Sequence, residues 1–205
     1  IIRVSIPIVL ALCLARPVLA ALRSLGLGSS SLVVMLDDSF SMRAPAAQTT
    51  LAGGTVMQQA RQDLQTMLTG LPDGSSTQVI LSGGTPRKLL DQPTTDRDLV
   101  PKKLADVPSM AGPLSVNDAF QAATSALKDA PNAAREVVIR SDFQEADWKA
   151  IADGAALPAL ESLSKQEPKP QITFYRIGSD LAENLSIASA DLSAMVVAET
   201  QPIGL

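Results

Sequence analysis

Four short apolar runs, "SLVVMLD" (31–37), "TQVILSG" (77–83), "REVVIRSD" (135–142) and "QITFYRIG" (171–178), separated by stretches of helical period, constrain this fold more than any other feature. A run this short and this rich in Val and Ile predicts a strand, and "SLVVMLD" has no polar alternation, so it predicts a strand buried on both faces. Between the first two runs, "TVMQQARQDLQTML" puts Val56, Met57, Ala60, Leu64, Met67 and Leu68 on one helical face. Thr55 and Gln58 have the spacing of a capping box, and Gly70 and Pro72 predict the stop. "VNDAFQAATSALKDA" predicts a second helix with Val116, Ala119, Phe120, Ala123 and Leu127 inward, and 144–165 reads as mostly helical with an interruption near Pro158. Strands alternating with amphipathic helices imply an α/β, doubly wound, mostly parallel sheet covered on both faces.

The 205 residues suffice for one sizeable α/β domain and a smaller appendage. A net charge of −4 with no long Lys/Arg run gives no electrostatic footprint for nucleic acid. The chain has no histidine, which excludes a Ser-His-Asp triad, an imidazole base and every His-containing metal site. The lone cysteine, Cys13, lies in an apolar segment and reads as a packing residue.

From Val4 to Leu22 there are 19 residues with one charge, about 28 Å as a helix and close to the thickness of a bilayer core. A transmembrane helix over 1–23 is the expectation, with Arg16 near one end where it reaches the interface and Pro17 as a kink. A buried or interfacial helix is the alternative; a cleaved signal peptide fits less well, because charge stands where a small-residue cleavage site should be. Arg3 and Arg23 flank the run and leave orientation undecided by the positive-inside rule. A Gly/Ser linker over 24–31 then leads into the soluble domain. With Ile at its start and an apolar pattern at its end, the chain reads as part of a longer protein.

In open α/β sheets ligands sit beyond the carboxyl ends of the strands, at the switch in strand order. Asp37-Asp38-Ser39-Phe40-Ser41 follows the first strand and Asp142 ends the third run. A cluster of carboxylates and hydroxyls suits a hard cation such as Mg²⁺. The competing structural reading is that loop Asp and Ser make turn and cap hydrogen bonds.

"VVMLDDSFSM" resembles the first motif of a von Willebrand factor A (vWA) domain, Asp-x-Ser-x-Ser after a buried strand, and "VVIRSDFQEADW" resembles its later strand ending in Asp. The likeness covers 32–180, and "LALCLARPVLAAL" is similar to the span preceding the A domain in bacterial BatA-like aerotolerance proteins. "ENLSIASADLSAMVVAETQPIGL", within 181–205, is similar to the entry into a β-sandwich that can follow it. The resemblance implies a metal-ion-dependent adhesion site (MIDAS) for Mg²⁺ at Asp37, Ser39, Ser41 and Asp142. The serines would ligate directly and the carboxylates through waters, with Asp38 at the variable position. The family's middle Thr aligns with Leu114 in "PLSVNDAF", which has no ligand atom; Ser115 is the adjacent substitute, or else caps the helix with Asp118.

By the same resemblance the chain is expected to be a non-enzymatic protein-interaction or assembly module at the bacterial inner membrane. Its A domain would face the periplasm, and its partners would include other vWA proteins and a MoxR-type AAA ATPase. The alternative is a structural vWA scaffold without metal. A more remote one is an aspartyl phosphotransferase using Asp37, which lacks the second acid because Ser39 stands in its place. "GLGSSS" precedes a strand rather than following one, so it is not a phosphate loop.

Overall fold

A computed structural model describes residues 28–46, 54–108 and 112–178. The segments expected to form a membrane span (1–23) and to enter a β-sandwich (181–205) lie outside these residues. Among the described residues no helix is long and apolar enough to cross a membrane.

The elements run β1 (Ser30–Leu36), a 3-10 turn (Phe40–Arg43), α1 (Val56–Thr69), β2 (Ser76–Leu81), β3 (Arg87–Lys88), α2 (Leu99–Ala105), α3 (Val116–Lys128), β4 (Ala134–Ser141), α4 (Glu145–Ala152), α5 (Leu157–Ser164) and β5 (Gln171–Arg176). They form a five-stranded sheet in the order β3-β2-β1-β4-β5, parallel throughout except for β3, which pairs antiparallel with β2. The central strand β1 has β2 on one side and β4 on the other, with Leu36 level with Leu81 and Arg140. The order reverses there, so the carboxyl ends of β1 and β4 open a crevice at the switch point.

β1 is buried along its whole length, and alternate residues enter different cores, as a strand covered on both faces requires. Leu32, Val34 and Leu36 pack with Val56, Ala60, Leu64 and Leu68 of α1 and Val100 and Leu104 of α2. Val33 and Met35 pack with Ala119, Phe120, Ala123 and Leu127 of α3 and Ala159 and Leu163 of α5. The capping box at α1 forms: Gln58 N–H donates to Thr55 Oγ1 at 3.2 Å, and Thr55 N–H to Gln58 Oε1 at 2.9 Å.

The structure departs from the sequence expectations in several places. β1 begins at Ser30, inside the stretch expected as linker, because its backbone already pairs with Ala134 of β4 and the Ser30 N–H donates to Ser75 Oγ at 3.1 Å. The interruption expected near Pro158 is present: the helices break over 153–156, where Gly154 adopts φ +81°. Pro158 lies in the first turn of α5, where no intrahelical partner for its missing N–H is needed. Coverage of the sheet stops short of β5, whose Phe174 and Tyr175 are exposed. The 3-10 turn, β3 and α2 carry too few residues to show a period in sequence.

Candidate metal centre at the carboxyl edge

Asp37 is the first residue after β1, and its N–H donates to the Arg140 carbonyl at 2.9 Å, continuing the pairing with β4. Its side chain is buried, with Oδ1 accepting from Ser39 N–H at 2.9 Å and Oδ2 from Ser141 Oγ at 2.5 Å. Burial raises its pKa above the ordinary carboxylate value; the hydrogen bonds from Ser141 and Ser39 oppose that rise, and the charge of Asp142 adds to it. The chain then turns tightly, with Met42 N–H donating to the Ser39 carbonyl and Ala44 N–H to that of Ser41. Met42 is sunk in the α1-side core. This turn brings the Ser39 and Ser41 hydroxyls to 3.1 Å from each other.

Ser141, which the sequence reading did not single out, joins the two strand ends. Its hydroxyl donates to Asp37 and accepts from Phe143 N–H at 3.1 Å and Trp148 Nε1–H at 3.2 Å. Asp142 follows it, 7% exposed. Its Oδ2 accepts from Gln144 Nε2 at 3.2 Å, whereas Oδ1 is buried without a hydrogen-bond partner. Phe143 then adopts φ +55°, a left-handed conformation costing a bulky side chain about 1–2 kcal/mol. Such strain is found where loops are shaped for function.

Asp38, read in sequence as the variable position, is fully buried. Oδ1 accepts from Gly83 N–H at 2.6 Å and Oδ2 pairs with Arg87. A Cβ at Gly83 would lie 2.8 Å from the Asp38 carbonyl carbon and from Ser39 N, so only glycine allows the β2 exit to approach this closely. The Gly84 N–H in turn donates to the Pro113 carbonyl at 2.8 Å, placing Leu114 against the same edge.

Leu114 is buried in the α3-side core. It lines a cavity of about 10 Å³ together with Asp37, Ser141 and Trp148, about the room one water needs. Asp147, also missed in sequence, accepts a hydrogen bond from the Leu114 N–H; burial foremost, and the Asp142 charge, raise its pKa. Ser115 occupies the N-cap position of α3 but makes no side-chain cap bond. Its hydroxyl donates to Asp118 Oδ2 at 2.6 Å instead.

The structure therefore brings Asp37, Ser39, Ser41 and Asp142 to adjacent strand ends and commits Ser115 to Asp118. This donor set is all oxygen, and the buried, unpartnered Asp142 Oδ1 is the kind of group an ion or its water shell satisfies. At the fifth position, Leu114 presents carbon. Among the described residues no three His, Cys, Asp or Glu side chains are grouped to hold an ion, so a cation here would depend on the serine hydroxyls and water.

A mostly parallel, open α/β sheet with an Asp-x-Ser-x-Ser turn at its switch point is the arrangement of a von Willebrand factor A-type fold. Residues 32–144, more than half of the chain, match the von Willebrand factor type A domain, and the chain belongs to that family. It is similar in structure to an aerotolerance-related membrane protein from Bacteroides fragilis NCTC 9343 carrying multiple mutations to serine. The identity is 16% and the TM-score 0.60, over 86% of this chain and 80% of that one. It is also similar to BatB from Bacteroides thetaiotaomicron, with 18% identity and TM-score 0.54 over 72% of this chain and 65% of that one. A von Willebrand factor type A protein from Catenulispora acidiphila gives 15% and 0.52, over 71% of this chain and 32% of that one. At these identities the likeness is one of fold. No curated protein matches the chain.

Proposed function

We propose that this chain is a non-catalytic protein-binding module of the BatA-like kind. Its carboxyl edge takes Mg²⁺ through the Ser39 and Ser41 hydroxyls, with Asp37 and Asp142 acting through bound waters. When bound, the ion supplies a coordination position for an acidic side chain of a partner protein. The observation that carries this reading is Asp142, a buried carboxylate with one oxygen unpartnered and its charge felt by Asp37. Leaving such an oxygen unpaired costs free energy that a ligand recovers. In the same reading the run from Val4 to Leu22 anchors the domain in a bacterial inner membrane with the A domain on the periplasmic side. Other vWA proteins and a MoxR-type AAA ATPase are the partners it suggests.

The buried Leu114 favours a second reading, a scaffold that has kept the turn and lost the ion. Calorimetry with Mg²⁺ separates the two. Leu114 lines the same cavity as Asp37 and Ser141, so Leu114→Thr places a hydroxyl at the site and should tighten binding, but only while Ser39 is present. Because Mg²⁺ demands near-ideal octahedral geometry, the gain should vanish in Leu114→Thr with Ser39→Ala. Absence of binding in the wild type and in every variant would establish the scaffold.

A further inference from the structure

We propose that Phe40 is the specificity-determining residue of this surface, and that it selects a partner whose acidic residue is flanked by an apolar side chain. This rests on the reading of a cation that accepts a partner carboxylate. Phe40 stands between Ser39 and Ser41, whose hydroxyls lie 3.1 Å apart. It is 61% exposed, the largest exposure of any large hydrophobic residue described. Single exposed apolar residues are ordinary on protein surfaces; this one differs in where it is held and how firmly. Ser39 before it and Met42 two residues after it are 2% and 0% exposed, and the turn is closed by two backbone hydrogen bonds. The Arg43 guanidinium lies 5.2 Å from the ring centroid, within cation–π range.

An exposed aromatic ring with an arginine guanidinium over it has the composition of interface anchors, which are enriched in aromatic residues and Arg. Since Phe40 neighbours both serines in the chain, a carboxylate at the ion puts the partner's adjacent residues over the ring. Successive residues of an extended peptide are only about 3.3–3.6 Å apart. The ion reads the acid and Phe40 reads what stands next to it.

Panning a random-peptide phage library on the 205-residue chain, in Mg²⁺ and in EDTA, tests this. The wild type in Mg²⁺ should enrich peptides with Asp or Glu and a large apolar residue within about two positions, the span the ring covers. Phe40→Ser should still enrich the acidic residue and lose the apolar one. A synthetic peptide from the wild-type pool should bind Phe40→Ser about tenfold or more weakly, with Phe40→Leu between the two and melting temperatures unchanged. The same apolar neighbour enriched by Phe40→Ser, or no apolar preference in the wild type, would overturn the proposal. Apolar enrichment that needs Phe40 but persists in EDTA without any acidic preference would uphold the Phe40 contact and refute the cation reading.

Discussion

The turn leaving β1 and the turn leaving β4 carry the two halves of one site and are built on opposite terms. In the first, all four carboxylate oxygens of Asp37 and Asp38 are engaged, by Ser39, Ser141, Gly83 and Arg87. In the second, Asp142 keeps a buried oxygen without a partner and Phe143 holds a left-handed backbone. The first half is finished by folding itself. The second keeps a buried carboxylate oxygen that an ion or its water shell can satisfy, so the unmet hydrogen-bonding capacity of the site lies at the β4 end, while at the β1 end the engaged carboxylates lock the turn that presents the Ser39 and Ser41 hydroxyls.

The largest effect should come from Arg87→Ala, which leaves the buried Asp38 carboxylate with only the Gly83 N–H and the charge of Arg61. The expected loss is about 3 kcal/mol, the low end of the range for broken buried pairs, because Arg87 itself is partly exposed. Adding Asp38→Asn should recover part of it, since the buried charge is then gone. Urea unfolding of the two variants measures both numbers, and a loss below about 0.5 kcal/mol, as at an ordinary surface site, would show that the β1 turn is not the locked half.

A smaller effect should appear in the pH dependence. Burial raises the folded pKa of Asp37, so the native state holds that proton more tightly than the unfolded chain does. Stability contributed through Asp37 is therefore present at low pH, falls as pH rises from about 4 through the raised value, and is level above it. Asp37→Asn removes the titrating group, and its urea midpoint should fall less across that window than the wild type's. An identical slope in the two proteins would mean that Asp37 is ionised without penalty.

The smallest effect should be that of Asp142→Ala on folding. Its Oδ1 makes no hydrogen bond and its Oδ2 accepts only one, from Gln144 two residues away, so removing the carboxylate should shift stability by no more than about 1 kcal/mol while abolishing Mg²⁺ binding in calorimetry. A loss approaching that of Arg87→Ala would make the two turns alike and erase the distinction.

Much of the frame was legible because it rests on local period. The inward face of α1, the five inward residues of α3 and the doubly buried β1 come from spacing alone, and the two Asp residues fell at the ends of runs that proved to be neighbouring strands. The partners that fix the site were not legible. Arg87 and Asp38 are 49 positions apart, and Arg87 sits on a strand of two residues that carries no alternation. Ser141 looked like one more strand residue, although a hydroxyl ending a buried run beside a predicted ligand is a signal that could have found it. Asp147 resembled an acid in the first turn of a helix, and only the fold brings the Leu114 N–H to it.

The chain has one tryptophan, and its indole N–H is tied through the Ser141 hydroxyl to the Asp37 carboxylate. Phe143 lies against the same ring, with centroids 4.5 Å apart. An event that displaces Asp37 or relaxes Phe143 therefore alters the polarity and hydrogen bonding around the sole indole fluorophore. The protein carries its own optical gauge of this edge, with an emission that belongs to one position and needs no attached dye.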